Sequence, residues 1–250
     1  MSKNIIIVGY PKSGTTWLTR LVADLLQCPL KGNWGFDDPG QAIIEGVDRQ
    51  SDFACYKSHH SYNEIFKASE QPVYKIIYLI RDPRDIVISG ANFFGHAYNV
   101  TGLKAIQSKI INSFKANTKN KKQMIQAVLE GNESINPWCR LSWQEHYQPY
   151  HNQEILFIRY EKLVVQAKAE CHKILDYLSI QKPEIEILKA IEQQSFKNKK
   201  GRATENEDRF EYLLLRKGSY GYWKKEFSEE EKKMFIDSFK QDILFKKFYL

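Results

Sequence analysis

An apolar run that leads into a glycine-containing turn constrains this chain more than any other feature. The run Ile5-Ile6-Ile7-Val8 is β-branched throughout and suits a buried parallel strand. After the turn, Leu18, Leu21, Val22, Leu25 and Leu26 recur with the spacing of one helix face. A strand–turn–helix unit directs the N–H groups of a helix N-terminus at an anion. The turn also carries Lys12 and the hydroxyls of Thr15 and Thr16, so the unit predicts a phosphate-binding loop.

The order of residues in the loop distinguishes between two classes of phosphate-binding protein. Nucleoside triphosphatases and nucleotide kinases use G-x-x-x-x-G-K-[ST], with lysine directly after the second glycine. Here Gly9 and Gly14 keep the glycine spacing, but Thr15 stands where the lysine would be, and the only lysine of the loop is Lys12. The segment Tyr-Pro-Lys-Ser-Gly-Thr-Thr-Trp, residues 10–17, resembles the cofactor loop of the sulfotransferases, which use 3′-phosphoadenosine 5′-phosphosulfate (PAPS). The resemblance assigns Lys12, Ser13, Gly14, Thr15, Thr16 and Trp17 to this cofactor.

Length, composition and cysteine content bound the fold and the compartment. The 250 residues, 42% hydrophobic and 27% charged, predict a single α/β domain over residues 1–250. We expect a P-loop-like three-layer fold, in which helices flank a mainly parallel central sheet. Four cysteines without a C-x-x-C pair read as reduced thiols. The sequence shows neither a signal peptide nor an apolar run of transmembrane length. Together with the reduced thiols, these features predict a cytoplasmic protein.

A lysine and a histidine lie near the C-terminal end of a second extended stretch, residues 53–60. Strand alternation places Lys57 and His59 on one side and His60 on the other. The triplet Lys57-Ser58-His59 resembles the sulfotransferase K-[ST]-H motif. In that family the lysine supports the departing phosphosulfate and the histidine is the general base, so the resemblance makes Lys12, Lys57 and His59 catalytic.

The remaining signatures resemble the parts of the family that bind the 3′-phosphate and the adenine. A strand over residues 74–80 ends at Arg81, Asp82 is a good N-cap, and Ser89 lies on the helix that follows. Arg81 and Ser89 match the family pair that grips the 3′-phosphate. Residues 216–223, Arg-Lys-Gly-Ser-Tyr-Gly-Tyr-Trp, match R-K-G-x-x-G-x-W, which assigns Arg216, Lys217 and Gly218 to the same phosphate. The resemblance assigns Tyr160 and Phe196 to the adenine.

Some positions depart from the family pattern. Threonine is frequent in the family where this chain has Gln194, which puts one adenine contact in doubt. Glu229 and Lys233 stand where a dimerisation motif of many cytosolic members has valine and glutamate, so the oligomeric state is left open. The polar segment 197–211 suits a lid over the cofactor and an ordinary surface loop equally well. We expect residues 228–247 to form one amphipathic helix capped by Ser228.

The predicted reaction is in-line transfer of the sulfuryl group of PAPS to a small-molecule hydroxyl, with release of adenosine 3′,5′-bisphosphate (PAP). Trp34, Phe36, Phe93, Phe94 and Tyr98 favour an aromatic or apolar acceptor, with a sugar or lipid hydroxyl as the alternative. No Cys/His cluster suggests a metal site, and we expect neither a metal nor nucleic acid. The net charge of +7 fits an anionic ligand, but does not by itself separate a nucleotide from nucleic acid. Two rivals remain: a P-loop kinase or triphosphatase, and a basic nucleotide or nucleic-acid binder without catalysis.

Overall fold

The computed structural model describes residues 2–36, 43–97, 115–195, 198 and 218–250. Its contacts divide the chain into two compact units. The first comprises residues 1–80 and 147–219, and the second comprises residues 81–146 and 220–250. The prediction of a single domain over the whole chain stays a prediction.

The first unit is built on a six-stranded sheet of order β3-β2-β4-β1-β5-β6. Its strands are β1 (Lys3–Val8), β2 (Leu30–Asn33), β3 (Ile44–Glu45), β4 (Phe53–Ser58), β5 (Val73–Ile80) and β6 (Leu156–Arg159). The short β3 runs antiparallel to β2, and the other neighbours pair in parallel. β1 lies between β4 and β5, so the loop that follows β1 emerges at a point where the strand order reverses. Open α/β sheets bind ligands at such points.

Helices complete the first unit. They are α1 (Thr15–Leu26), α2 (Tyr62–Ile65), α6 (Tyr160–Val165), α7 (Ala167–Tyr177) and α8 (Glu184–Gln193). Helices α3 (Pro83–Ala97) and α4 (Lys115–Glu130) belong to the second unit, and α5 (Trp143–His151) crosses the boundary in the sequence between the two units. The buried apolar face of α1 meets the strands and α6 to α8 in one continuous core. That core includes Ile5, Ile7, Leu18, Leu21, Leu25, Leu79, Ile158, Leu163, Ile174 and Ile187. The strand and helix predicted around the loop are confirmed, and the core fixes where the loop lies.

The second unit is helical. Besides α3 and α4 it contains a 3₁₀ turn (Pro137–Cys139), α9 (Trp223–Glu226), α10 (Glu229–Phe239) and α11 (Ile243–Tyr249). Aromatic rings hold the C-terminal helices together, with Phe239 between Trp143 and Phe245 at centroid distances of 5.3 and 5.1 Å. In the described part of the chain, no helix is long and apolar enough to cross a membrane.

Two element predictions need correction, and the stretch 29–52, whose prolines and glycines interrupt regular elements, nevertheless includes β2 and β3. The strand expected through His60 ends at Ser58. The single C-terminal helix is two helices, because the Asp242 side chain accepts the N–H of Phe245 at 2.8 Å and so caps a new helix. The predicted cap at Ser228 is confirmed as a capping box with Glu231.

Candidate active site

The loop between β1 and α1 has the backbone of an anion cradle. Lys12 and Gly14 both have positive φ, 69° and 97°, and the N–H of Ser13 donates to the carbonyl of Tyr10 at 3.1 Å. Alternation of left- and right-handed residues turns successive N–H groups toward one point. Gly14 is the N-cap of α1 and no side chain caps the helix there. The start of α1 is therefore arranged to receive an anion from outside the helix.

Both loop glycines lie too close to their neighbours to carry a side chain. A Cβ on Gly9 would lie 2.7 Å from the carbonyl oxygen of Leu79, and one on Gly14 would lie 2.9 Å from the ring of Tyr160. The loop is thus seated directly on β5 and on the first residue of α6. Tyr160, assigned to the adenine, contacts the loop itself.

Ser13 supplies a hydroxyl that the described residues leave without a partner. The residue is 1% exposed, and its Oγ has no hydrogen bond to any described group. Since buried hydroxyls are nearly always hydrogen-bonded, an orphan in this loop indicates a ligand that completes it.

Lys57 stands next to the loop strand. It pairs with Ile7 in the parallel register of β4 and β1, one residue before β4 ends. Burial lowers the pKa of its ammonium from 10.5 to about 8, and among the described residues no carboxylate pairs with it. A buried cation without a counter-ion is costly unless an anion binds beside it. Lys57 therefore fits an anionic ligand.

His59 is fixed to the loop by its ring. Its Nδ1 lies 2.6 Å from the carbonyl oxygen of Gly9. A carbonyl oxygen only accepts, so Nδ1 must donate, and in the neutral imidazole the lone pair is then on Nε2. This is the tautomer that a base acting through Nε2 requires.

The neighbouring His60 is held in a different environment. Its backbone N–H donates to Ser58 Oγ at 3.1 Å, and that hydroxyl lies 2.9 Å from its Nδ1. The ring of Phe36 stacks on its imidazole at 5.8 Å, and the hydroxyl of Tyr150 donates to its carbonyl at 2.8 Å. These contacts tie His60 into the packing around β4. The two histidines therefore have different contacts, and the assignment of His59 rather than His60 as the base stays a prediction.

Trp17 and Tyr160, both assigned to the adenine, meet edge to face with centroids 5.8 Å apart. The indole N–H of Trp17 donates to the carbonyl oxygen of Gln194 at 2.9 Å. The side chain of Gln194 donates to a carboxylate oxygen of Asp24 at 2.5 Å. The buried amide of Gln194 is thus engaged with α1, a role that its sequence position did not reveal.

Of the other predicted phosphate ligands, Arg81 and Ser89 lie in the second unit, and Gly218 lies in the range of the first. Arg81 is buried just before α3, and Ser89 is half-buried on that helix. The predicted N-cap is confirmed, because Asp82 accepts the N–H of Arg84 at 2.9 Å. Gly218 is the second-to-last residue of the first unit and has a φ of 57°. Phe196, Arg216 and Lys217 lie outside the described residues, as do Tyr98 and the segment 197–211 apart from Asn198.

Similarity to known proteins decides the family. The sequence profile described as "Sulfotransferase domain" matches residues 36–247, most of the chain. The chain belongs to this sulfotransferase family. Membership confirms the predicted enzyme class. The matched range begins after the loop, so the reading of residues 9–17 rests on their own sequence and geometry.

Individual relatives agree with this assignment. Sulfotransferase 2A6 of Mus musculus is 26% identical over 265 residues, which cover 97% of this chain and 85% of the relative. The 3-alpha-hydroxysteroid sulfotransferase of Cavia porcellus is 28% identical over 262 residues, covering 93% and 81%. Each spans nearly the full length of this sulfotransferase.

Solved structures confirm the predicted fold. Mouse sulfotransferase SULT7A1 complexed with PAP matches with a TM-score of 0.69 at 22% identity, covering 96% of this chain and 84% of that one. Retinol dehydratase in complex with androsterone and PAP matches with a TM-score of 0.60 at 18% identity, covering 99% and 82%.

Two further expectations concern the surroundings of the site. Trp34, grouped with the acceptor aromatics, is 1% exposed and donates its indole N–H to the carbonyl of Ile65, so it is a core residue. Phe36 is 48% exposed and offers apolar surface. Within the described ranges no cluster of three or more His, Cys, Asp or Glu could hold a metal ion.

Proposed function

We propose that this sulfotransferase moves the sulfuryl group of PAPS in line to the hydroxyl of a small apolar or aromatic molecule, with His59 as general base. The observation that carries the proposal is the bond between His59 Nδ1 and the carbonyl oxygen of Gly9, 2.6 Å long. It joins the base to the phosphate loop and fixes the tautomer that leaves Nε2 to take a proton.

The residues present fit the co-substrate. The orphan hydroxyl of Ser13 and the buried ammonium of Lys57 both call for an anion, and the loop directs backbone N–H groups at one. Lys12, Ser13, Gly14, Thr15 and Thr16 would hold the 5′-phosphosulfate. Trp17, Tyr160 and Phe196 would flank the adenine. Arg81, Ser89, Arg216, Lys217 and Gly218 would hold the 3′-phosphate. Solved relatives contain PAP, which is what remains of PAPS after transfer.

Each catalytic residue has a distinct task. When bound, PAPS supplies the sulfuryl group, whose bond to the 5′-phosphate oxygen breaks as a bond to the acceptor oxygen forms. His59 Nε2 takes the proton of the acceptor hydroxyl. Lys12 and Lys57 stabilise the negative charge that develops on the departing phosphate. Lys57 is effective because it is already desolvated, so little surrounding water must reorganise.

The proposed acceptor class rests on the relatives and on one local feature. Relatives are named for hydroxysteroids, and one neighbour holds androsterone. In this chain Phe36 presents a half-exposed ring stacked on His60, the residue that follows the base. We therefore expect alcohols on apolar skeletons and phenols to be better acceptors than sugars. The four buried free cysteines fit a reducing compartment, and the cytoplasm remains the proposed location.

Ligand-dependent stability separates this proposal from its rivals. PAP without metal should raise the melting temperature, because a ligand at 100 times its Kd stabilises the native state by about 2.7 kcal/mol. A kinase or triphosphatase would instead be stabilised by ATP with Mg²⁺. A nucleic-acid binder would prefer oligonucleotides with steep salt dependence. Stabilisation by ATP with Mg²⁺ and none by PAP would overturn the proposal.

A further inference from the structure

Asp85, in the first turn of α3, binds the backbone of a distant turn in the second unit. Its Oδ2 accepts the N–H of Gly221 at 2.5 Å, and its Oδ1 lies 3.3 Å from the nitrogen of Trp223. The side chain is almost fully buried, since Asp85 is 2% exposed. Hydrogen bonds from N–H groups to a carboxylate are about twice as strong as neutral ones. The carboxylate therefore fastens residues 221–223 to the start of α3.

Arg84 contacts the same turn through the ring of Trp223. Its guanidinium carbon lies 3.6 Å from the centroid of the Trp223 ring. Two bonds to the carboxylate of Asp82, at 2.9 and 2.8 Å, fix the guanidinium, which also donates to the carbonyl of Tyr249 at 2.9 Å. The turn is thus clamped by two successive residues of α3, one bonding its backbone and the other stacking on its indole.

The position of Asp85 along the chain connects this clamp to the proposed 3′-phosphate site. Arg81, Asp85 and Ser89 are spaced four residues apart, so Asp85 and Ser89 lie on one face of α3, one turn from each other. On the other side, Gly221 follows Gly218 by three residues. The proposed function assigns Arg81, Ser89 and Gly218 to the 3′-phosphate. Asp85 therefore joins the two stretches of sequence that carry that assignment.

We propose that Asp85 is a positioning residue for recognition of the 3′-phosphate. It does not bind the phosphate, since two anions repel. It sets where the turn after Gly218 lies with respect to the helix that carries Ser89. This inference rests on the proposed function, because it presumes a ligand with a 3′-phosphate.

Asp85→Asn tests the proposal, because the amide keeps the shape of the side chain but turns an NH₂ group toward one of the two backbone donors. The measurement is the ratio of Kd for AMP to Kd for PAP by calorimetry, which reports the contribution of the 3′-phosphate alone. The variant should lower this ratio by about tenfold, the lower end of the roughly 10–100-fold loss seen when a group that orients metal-binding residues is removed. If Asp85 acted only as a nearby negative charge, removing that charge would strengthen PAP binding and raise the ratio.

Two further variants separate positioning from general loss of stability. Asp242→Asn is the control, because Asp242 is another buried carboxylate of the same unit that accepts a backbone N–H, at the start of α11. It should lower the melting temperature and leave the ratio within twofold of the parent. Asp85→Ser, with a small hydroxyl acceptor, repeats the test at a temperature where circular dichroism shows the variant to be folded. It too should lower the ratio.

The outcomes are distinguishable from failure of the proposed function. If the parent protein binds PAP no better than AMP, the 3′-phosphate assignment itself is wrong. If the parent prefers PAP and both Asp85 variants keep that preference, the positioning role alone is overturned.

Discussion

The Nδ1 atom of His59 lies 2.6 Å from the carbonyl oxygen of Gly9, so the proposed base is bonded to the first glycine of the phosphate loop. The bond does two things at once. It selects the Nε2-basic tautomer, and it couples the orientation of the imidazole to the backbone that would bind the 5′-phosphosulfate. A base fixed in this way needs no rearrangement of the loop before it accepts a proton.

Replacing His59 with alanine should lower turnover by ~10²–10⁴-fold, the usual contribution of a positioned general base. PAP affinity should stay near that of the parent, because no proposed cofactor contact is removed. Steady-state sulfuryl transfer and calorimetric titration with PAP measure these two quantities.

His60→Ala is the matched control for the base. Its ring packs between Ser58 and Phe36, so its removal should lower the melting temperature while turnover stays within a few-fold. If His60→Ala were the inactive variant and His59→Ala retained turnover, the assignment of the base would be wrong.

Lys57→Met should make the protein without ligand more stable and abolish its stabilisation by PAP. Burial lowers the pKa of Lys57 from 10.5 to about 8, so at pH 7 the native state bears the cost of a desolvated charge. At roughly 1.4 kcal/mol per pKa unit, a fall from 10.5 to about 8 corresponds to a gain of up to about 3.5 kcal/mol in the free energy of unfolding. Urea denaturation with and without PAP measures both effects, and a destabilised variant would contradict this description of Lys57.

The same residue predicts a pH dependence of ligand binding. A bound anion favours the ammonium form, so PAP affinity should be nearly independent of pH below about pH 8, where Lys57 is already charged. As the free protein loses this proton above that pH, PAP affinity should fall by up to ~tenfold per pH unit. Calorimetry from pH 7 to 10, in buffers of different ionisation enthalpy, should show proton uptake when the parent protein binds PAP above about pH 8.

Gly14→Ala should damage the loop more than backbone strain alone explains. The residue has φ 97°, and its new methyl group would lie 2.9 Å from the Tyr160 ring. Gly221→Ala serves as the stability control, because its φ is 83° and nothing lies within 4 Å of the added methyl group. Strain of about 1–2 kcal/mol applies to both variants. Gly14→Ala should therefore unfold at a lower urea concentration than Gly221→Ala. If the two variants lose the same stability, the Tyr160 ring moves away from the new methyl group at no cost.

Arg216 and Lys217 allow a test of the 3′-phosphate assignment by substrate comparison. Replacing both with alanine should weaken binding of PAP far more than that of adenosine 5′-phosphosulfate, which lacks the 3′-phosphate. Titration of both nucleotides measures the difference. Equal losses would mean that these two cations serve the fold or the adenine instead.

The sequence predicts the sheet centre and the loop well because their signals are local. β1, α1 and the glycines between them follow from β-branched residues, helical spacing and turn chemistry within about 25 residues. β2 escapes such reasoning, since Leu30-Lys31-Gly32-Asn33 has no strand composition and is extended because it pairs with β4. The break before α11 depends on a single capping aspartate inside an otherwise continuous amphipathic pattern.

At the site, residue types are more predictable than contacts. Lys57 and His59 are evident from the K-S-H triplet, whereas the bond from His59 to Gly9 joins residues 50 positions apart. Gln194 and Asp85 act through partners 170 and 136 positions away, so no local pattern identifies their roles. Such long-range bonds become visible only in the folded chain.

Sulfuryl transfer itself is the most direct measurement. The protein is incubated with PAPS, without divalent metal, and with separate panels of phenols, apolar alcohols and sugars, while PAP release and the mass of each acceptor are followed. The account predicts PAP release matched by acceptor carrying one added SO₃ group, strongest among phenols and apolar alcohols and lost in His59→Ala. Intact PAPS across all panels, together with consumption of ATP when Mg²⁺ is supplied, would contradict it.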